Sequence, residues 1–467
     1  MYSPGLLFAI ACLPLLGVVG QKTLCDTECQ KGCDAACQAA IRGAYEAESR
    51  SWVGDVLTDP FFVTTNTSSA TPGDLIRWQD IPSSQLANNW TIPASLSLSR
   101  FMYVTEDVDR KPIPASAWVL LPFTATGDGC GKKLRTVVWT HGTAGRSRQC
   151  APTNNRGLYY DWQAPFVLAE MGYAVIAPDY SGQGSDIPQG FMYEAGFLHA
   201  ADAAYSVVAA KKALGTLLGE KWVVFGHSEG GMSAWRTNER MAMANQEALK
   251  QAGELVGSVA AAPALRPQKL IPDSMKRAGN GPANDPFSVY FLQSLSKLYP
   301  DQIKISDYLG DLPLQRLGVL DQSCIITGSA AVGNFTPTQL YKNLGWLTHP
   351  ATDDWAVRYN GQGPHPLAAP MLVIQGMADT TTPANLTMAD FDLTCSTYPE
   401  SRVHARLYPE MAHGQVLEAA KGDILAWIAE RFEGTPVSQG CSKENVQPLT
   451  DRYGRDGVFW TASVGQF

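Results

Sequence analysis

The segment Gly226-His227-Ser228-Glu229-Gly230-Gly231, directly after Lys221-Trp222-Val223-Val224-Phe225, constrains this chain more than any other. Val223, Val224 and Phe225 suit a buried strand, and residues 232–242 carry small and apolar side chains at helical spacing. A strand therefore runs straight into a helix with a serine at the junction. A turn that sharp forces Ser228 into a strained backbone conformation, and a Cβ on the flanking glycines would collide with the neighbouring strand and helix. The strain lifts the hydroxyl clear of the sheet, and the helix N-terminus puts positive potential beneath it. Gly-x-Ser-x-Gly by itself arises by chance in a chain with 42 glycines. The strand before it and the helix after it distinguish it from a plain glycine-rich turn.

The rest of the chain supplies the setting for such a turn. Residues 100–108 and 113–121 read as antiparallel strands, and residues 134–140 and 173–177 as buried ones. Residues 160–171 read as a helix, as do residues 195–218, an alanine-rich stretch. Residues 255–262, 371–374 and 403–407 complete the strands, and a helix over 415–432 follows. Strands alternating with helices predict an α/β fold, a mostly parallel central sheet with helices on both faces. Roughly a hundred residues, 263–366, separate two core strands, far more than an ordinary connection needs. They carry helical pieces at 287–298 and 338–344 and read as a cap inserted over the site, with a surface insertion as the plainer alternative. The expected division is a core of residues 96–262 and 367–440, the insertion 263–366, a Cys-rich N-terminal segment 21–95 and a tail 441–467.

Residues 6–19 are an apolar run ending near Val18-Val19-Gly20, which reads as a signal peptide over residues 1–20 and predicts a secreted protein. Sequons at Asn66, Asn89, Asn334 and Asn385 fit that compartment, although Pro337 makes Asn334 a poor acceptor. The net charge of -8 is spread out and argues against a nucleic-acid partner. Ten cysteines become an odd number once Cys12 leaves with the leader, so one thiol is free or intermolecular. Cys25, Cys29, Cys33 and Cys37 recur every four residues, one stripe of a helix. A metal site and a stapled helix both fit; the compartment favours the staple.

A serine hydroxyl needs a base, and the base needs an orienting acid. On sheets of this kind the order is Ser, then Asp or Glu, then His. The histidines after Ser228 are His349 and His365 in the insertion, His404 inside a strand, and His413. His413 lies in Tyr408-Pro409-Glu410-Met411-Ala412-His413-Gly414, between the last strand and the last helix, where the base belongs. Asp379 lies just past Met371-Leu372-Val373-Ile374 and is the expected acid; it could instead cap a helix, and Glu410 competes with it. Two backbone N–H groups must hold the oxyanion. One is that of Glu229, after the nucleophile. The other is expected from Thr143 in Trp139-Thr140-His141-Gly142-Thr143-Ala144-Gly145. His141 and Asp179 are assigned to loop architecture.

These residues, with Cys150-Ala151-Pro152 and Ala177-Pro178-Asp179-Tyr180-Ser181-Gly182-Gln183-Gly184, resemble the secretory lipase family of fungi, within the α/β-hydrolase superfamily. The resemblance spans about residues 100–435. It implies an α/β-hydrolase fold with an inserted helical cap and carboxylester or lipid substrates. A triad of Ser228, Asp379 and His413 is expected to act on a small-molecule or lipid ester, with a lipid surface as a further partner, and to need no metal or cofactor. The resemblance also implies disulfides from Cys150 to Cys324 and from Cys395 to Cys441. The Cys-striped N-terminus and the tail depart from the pattern. Four activities compete: a serine carboxylester hydrolase, an acyltransferase or cyclase using the same triad, a peptidase, and a non-catalytic binding protein on the same fold. Natural substrate and oligomeric state are not legible in the residues.

Overall fold

The computed structural model describes residues 24–64, 66–125 and 133–453. The expected leader, Cys12, Cys130, the side chain of Cys25 and the end of the tail lie outside the described residues. Ten strands form one sheet: β1 (Leu75–Asp80), β2 (Leu96–Glu106), β3 (Pro112–Pro122), β4 (Leu134–Thr140), β5 (Ala174–Pro178), β6 (Leu218–His227), β7 (Glu254–Ala261), β8 (Met371–Gly376), β9 (Arg402–Tyr408) and β10 (Gly440–Asn445). Their order is β1-β2-β3-β5-β4-β6-β7-β8-β9-β10. The pairs from β5 to β10 are parallel and those among β1, β2, β3 and β5 antiparallel. The sheet therefore takes β1 from the N-terminal segment and reaches past residue 440 through β10, on which Cys441 sits.

Alternation along β6 shows how the sheet buries both faces. Val223 and Phe225 point into one apolar cluster with Trp139, Ile374 and Trp427. Trp222 and Val224 point into the other, against the helix Gly196–Leu214. That helix is buried along most of its length, which its alanines permit by letting the backbone approach the sheet.

Residues 263–366 contain helices and no strands of the sheet. They have an apolar cluster of their own around Phe291, Trp346 and Trp355, joined by Leu24, Cys29 and Ile41 of the N-terminal segment. The N-terminal helix, Ala35–Arg50, packs against the insertion helix Ile325–Val332. Glu48 completes that contact: its buried carboxylate accepts the N–H groups of Cys324 at 2.8 Å, Ile326 at 3.0 Å and Thr327 at 3.3 Å. A carboxylate at a helix N-terminus satisfies donors that no intrahelical carbonyl can reach.

Two sequence expectations change. The cysteine stripe does not lie on one helix: the N-terminal helix starts at Ala35, and Cys33, outside it, is bonded to Cys37. Asp34 is the reason, because its side chain accepts the Cys37 N–H at 2.9 Å and starts the helix there. The helix expected over 160–171 begins only at Pro165 and spans Pro165–Glu170. Ahead of it, residues 158–161 all have positive φ. Elsewhere Cys150 is bonded to Cys324 and Cys395 to Cys441.

Candidate active site

Strand β6 ends at His227, and Ser228 follows at φ 61° and ψ −123° before the elbow helix Glu229–Ala242. Its N–H donates to the Ala261 carbonyl at 3.0 Å, which anchors the turn to the end of β7. A Cβ on Gly226 or Gly230 would collide with Thr140, whose hydroxyl instead donates to Gly230 O at 2.8 Å. The close approach of β4 to the elbow thus depends on both glycines.

On one side of Ser228 lie the loops after β8 and β9. Asp379 is buried and its carboxylate is saturated. Oδ1 accepts the N–H groups of Thr381 and Thr382, each at 2.8 Å, and Oδ2 accepts the Thr382 hydroxyl at 2.7 Å and His413 Nδ1 at 2.8 Å. Burial pushes Asp379 upward, but the adjacent His413 and these hydrogen bonds outweigh it and hold the carboxyl below the ordinary range. An ionised Asp379 keeps the proton of His413 on Nδ1 and leaves Nε2 as the basic nitrogen. Asp379 caps its own turn; the next helix, Ala384–Thr397, starts behind Pro383. Glu410 points elsewhere, accepting from the Tyr453 hydroxyl at 3.1 Å. The other late histidines are placed away from the serine: His349 caps the helix Pro350–Trp355, His365 packs on Phe197, and His404 sits in β9.

On the other side lies the loop after β4. His141 Nδ1 is 2.7 Å from Gly142 O, which fixes the peptide that carries the Thr143 N–H. Burial holds His141 down to about 4, so this contact persists at neutral pH with the ring uncharged. Thr143 is held twice more, its hydroxyl 2.8 Å from the Tyr193 hydroxyl and its carbonyl accepting from Tyr159 Oη at 2.5 Å. Asp179 binds the N–H of Thr153 at 2.8 Å and the hydroxyl of Ser116 at 2.5 Å, ordering the loops behind the site.

The sequence reading missed a pair of carboxyl groups here. Glu229, the residue after Ser228, accepts the Glu194 N–H on Oε1 at 3.1 Å, and the Oε2 atoms of both residues have no hydrogen-bond partner. Burial raises Glu229 to about 8; burial and the proximity of Glu229 raise Glu194. Glu229 was legible only as a backbone donor, and Glu194 had no local signal, since only the packing of its loop against the elbow brings it there.

Ser228 opens into a cavity of about 460 Å³ lined by Tyr193, Glu194, Leu270, Arg277, Phe287 and Phe291. The insertion helix Pro267–Ala278 forms part of the wall and buries Ile271 and Met275 in the insertion's apolar cluster. Arg277 on that helix pairs with Asp273 and donates to the Thr380 carbonyl, beside Asp379.

The sequence matches the model of the alpha/beta hydrolase family over residues 137–420. No curated protein matches it. Among solved structures it is similar to lipase A of Candida antarctica, at 15% identity and a TM-score of 0.67, covering 88% of this chain and 93% of that one. It is similar to the rice cell wall degrading esterase LipA of Xanthomonas oryzae, at 17% identity and a TM-score of 0.59, covering 78% and 98%. A putative hydrolase of Legionella pneumophila matches at 17% identity and a TM-score of 0.63, covering 78% and 100%.

Proposed function

The chain belongs to the alpha/beta hydrolase family, and from that premise we propose that it is a secreted serine hydrolase of carboxylic esters, of the lipase or esterase type. The observation that carries the reading is the 2.8 Å contact of His413 Nδ1 with a buried, saturated Asp379 beside the strained Ser228 elbow. The similarity to a lipase and an esterase supports the substrate class. The cross-links Cys150–Cys324 and Cys395–Cys441 support an oxidising compartment. Asn66, Asn334 and Asn385 are exposed, as glycan acceptors must be, and Asn89 is half-buried.

In this reading Ser228 Oγ attacks the acyl carbon while His413 Nε2 takes its proton. The Glu229 and Thr143 N–H groups hold the oxyanion, and Asp379 stabilises the imidazolium that forms. His413 then protonates the leaving alkoxide. Water, deprotonated by the same nitrogen, releases the acyl group. The expected cavity occupant is the acyl chain, because Leu270, Phe287 and Phe291 present apolar walls next to Ser228.

The test is hydrolysis of p-nitrophenyl esters of increasing chain length by the wild type and by Ser228→Ala. Loss of about a thousandfold or more in kcat is expected in the variant, and the optimum chain length separates esterase from lipase. Turnover that survives Ser228→Ala, or a wild type that neither hydrolyses esters nor takes a phosphonate at Ser228, would sink the reading.

A further inference from the structure

Leu158, Tyr159, Tyr160 and Asp161 stand at φ 55°, 49°, 108° and 42°. Four consecutive non-glycine residues in the left-handed region are costly, and such strain persists only where the surroundings impose it. Here they do. Leu158 is fully buried in the main core cluster. Asn155 Oδ1 accepts the Gly157 N–H at 3.0 Å, and Asn155 O accepts the Leu158 N–H at 3.0 Å. The Asp161 N–H returns to Gly157 O at 3.2 Å.

The turn delivers two neighbouring phenols to two different partners beside Ser228, Thr143 and His227. The Tyr159 and Tyr160 rings meet edge to face, with centroids 5.2 Å apart, and diverge from there. Tyr159 Oη donates to Thr143 O at 2.5 Å, on the residue whose N–H is the candidate oxyanion donor. Tyr160 Oη lies 3.1 Å from His227 Nδ1, and His227 Nε2 lies 2.9 Å from His413 O. A carbonyl can only accept, so Nε2 carries the His227 proton and Nδ1 accepts from Tyr160. His227 is buried and its ring sits 4.6 Å from that of His413, centroid to centroid. Gly142 lets the Tyr160 hydroxyl approach, since a Cβ there would collide with it.

We infer that residues 158–161 form a positioning device for the proposed ester hydrolysis, in which Tyr159 fixes the oxyanion loop through Thr143 and Tyr160 fixes the base loop through His227. The inference rests on the hydrolase reading. None of the three touches the reacting atoms; Tyr159 acts through Thr143, and Tyr160 and His227 act through His413. Burial, followed by the influence of His413, holds His227 down to about 3, so the neutral tautomer this chain of bonds requires is available throughout the neutral range.

The test compares Tyr159→Phe, Tyr160→Phe, His227→Gln and His227→Leu in the full chain, using the p-nitrophenyl ester the wild type prefers. Tyr160→Phe and His227→Leu are expected to lower kcat about tenfold or more with KM nearly unchanged, as misplacement of a catalytic group does. His227→Gln keeps an N–H for His413 O and should restore most of that loss. Tyr159→Phe should weaken binding of a trifluoromethyl ketone, which mimics the oxyanion, by about tenfold with KM nearly unchanged. Wild-type kcat in a folded Tyr160→Phe would overturn the inference. If the phenylalanine variants do not fold, equal kcat in His227→Gln and His227→Leu would do the same. Amide hydrogen exchange over 142–145 and 411–414 needs no turnover and stays decisive if the hydrolase reading fails. Faster exchange over 142–145 in a folded Tyr159→Phe and over 411–414 in a folded Tyr160→Phe supports the device, and unchanged exchange in either overturns it.

Discussion

The two flanks of Ser228 are built differently. On the base flank the carboxyl group is Asp379, held charged against its burial by the adjacent His413 and by hydrogen bonds to both oxygens. On the oxyanion flank the carboxyl groups are Glu229 and Glu194, each with an oxygen that has no partner, and burial favours their neutral form. The contrast follows from elementary electrostatics. A buried carboxyl stays ionised only where donors replace the lost water. In the proposed reaction negative charge is useful beside an imidazolium and harmful beside a developing oxyanion, and the two flanks divide along that line.

The insertion also holds the two flanks differently. At the oxyanion flank it is bolted: Cys324 is bonded to Cys150, and the Ile325 N–H donates to Ala144 O at 2.9 Å, next to Thr143. Glu48 holds the same helix from its other side. At the base flank the helix Pro267–Ala278 reaches across with Arg277 to the Thr380 carbonyl. One end of the insertion is tied to the frame by a disulfide, and the other adds only a half-exposed contact to its packing.

Removing the bolt should have the largest effect. Cys150→Ser with Cys324→Ser opens a cross-link between residues 174 apart in sequence, and chemical denaturation should show a loss of about 2–5 kcal/mol. The pair is also expected to lower kcat, because the Thr143 loop loses its tie. A stability within experimental error of the wild type would mean that Glu48 and the packing suffice without the disulfide.

The carboxyl contrast predicts a pH effect of intermediate size. Glu229 has its pKa raised on folding, so its contribution to stability is complete below the unfolded value and is lost as pH rises through about 8. The loss is at most about 1.4 kcal/mol per pH unit. Glu229→Gln cannot ionise, so its melting temperature should gain on the wild type between pH 5 and pH 8.5. Parallel melting curves for the two proteins over that range would show that Glu229 does not titrate there.

The smallest change in stability is expected at the latch. Arg277→Ala removes one half-exposed ion pair with Asp273 and one bond to Thr380, so it should cost under about 1 kcal/mol. Its signature is kinetic: phosphonate labelling of Ser228 should speed up if Arg277 restrains the helix over the cavity. An unchanged labelling rate would place the helix in the frame with the rest of the insertion.

Much of the sheet was legible because buried parallel strands must be continuous apolar runs. β4, β6 and β8 are such runs, and the elbow, the Asp379 loop and the His413 loop follow from chain order along them. β1 and β10 escaped notice because edge strands are half exposed and polar, as Gly440–Asn445 is. Tyr160 and Asp161 read as the start of a helix because of their neighbours in sequence; only burial of Leu158 and the tyrosine contacts impose the opposite hand on residues 158–161.

The sequence by itself determined the alternation of strands and helices, the strained serine at one junction, and the order in which Asp379 and His413 follow it on successive loops. Those features depend on periodicity and order, which are local. Only the tertiary structure decided that Glu194 meets Glu229, that Glu48 caps a helix 276 residues away, and that Tyr160 reaches His413 through His227. Each of these is a pairing between distant segments whose energy comes from burial without water, and a linear string of residues carries no record of what will be buried together.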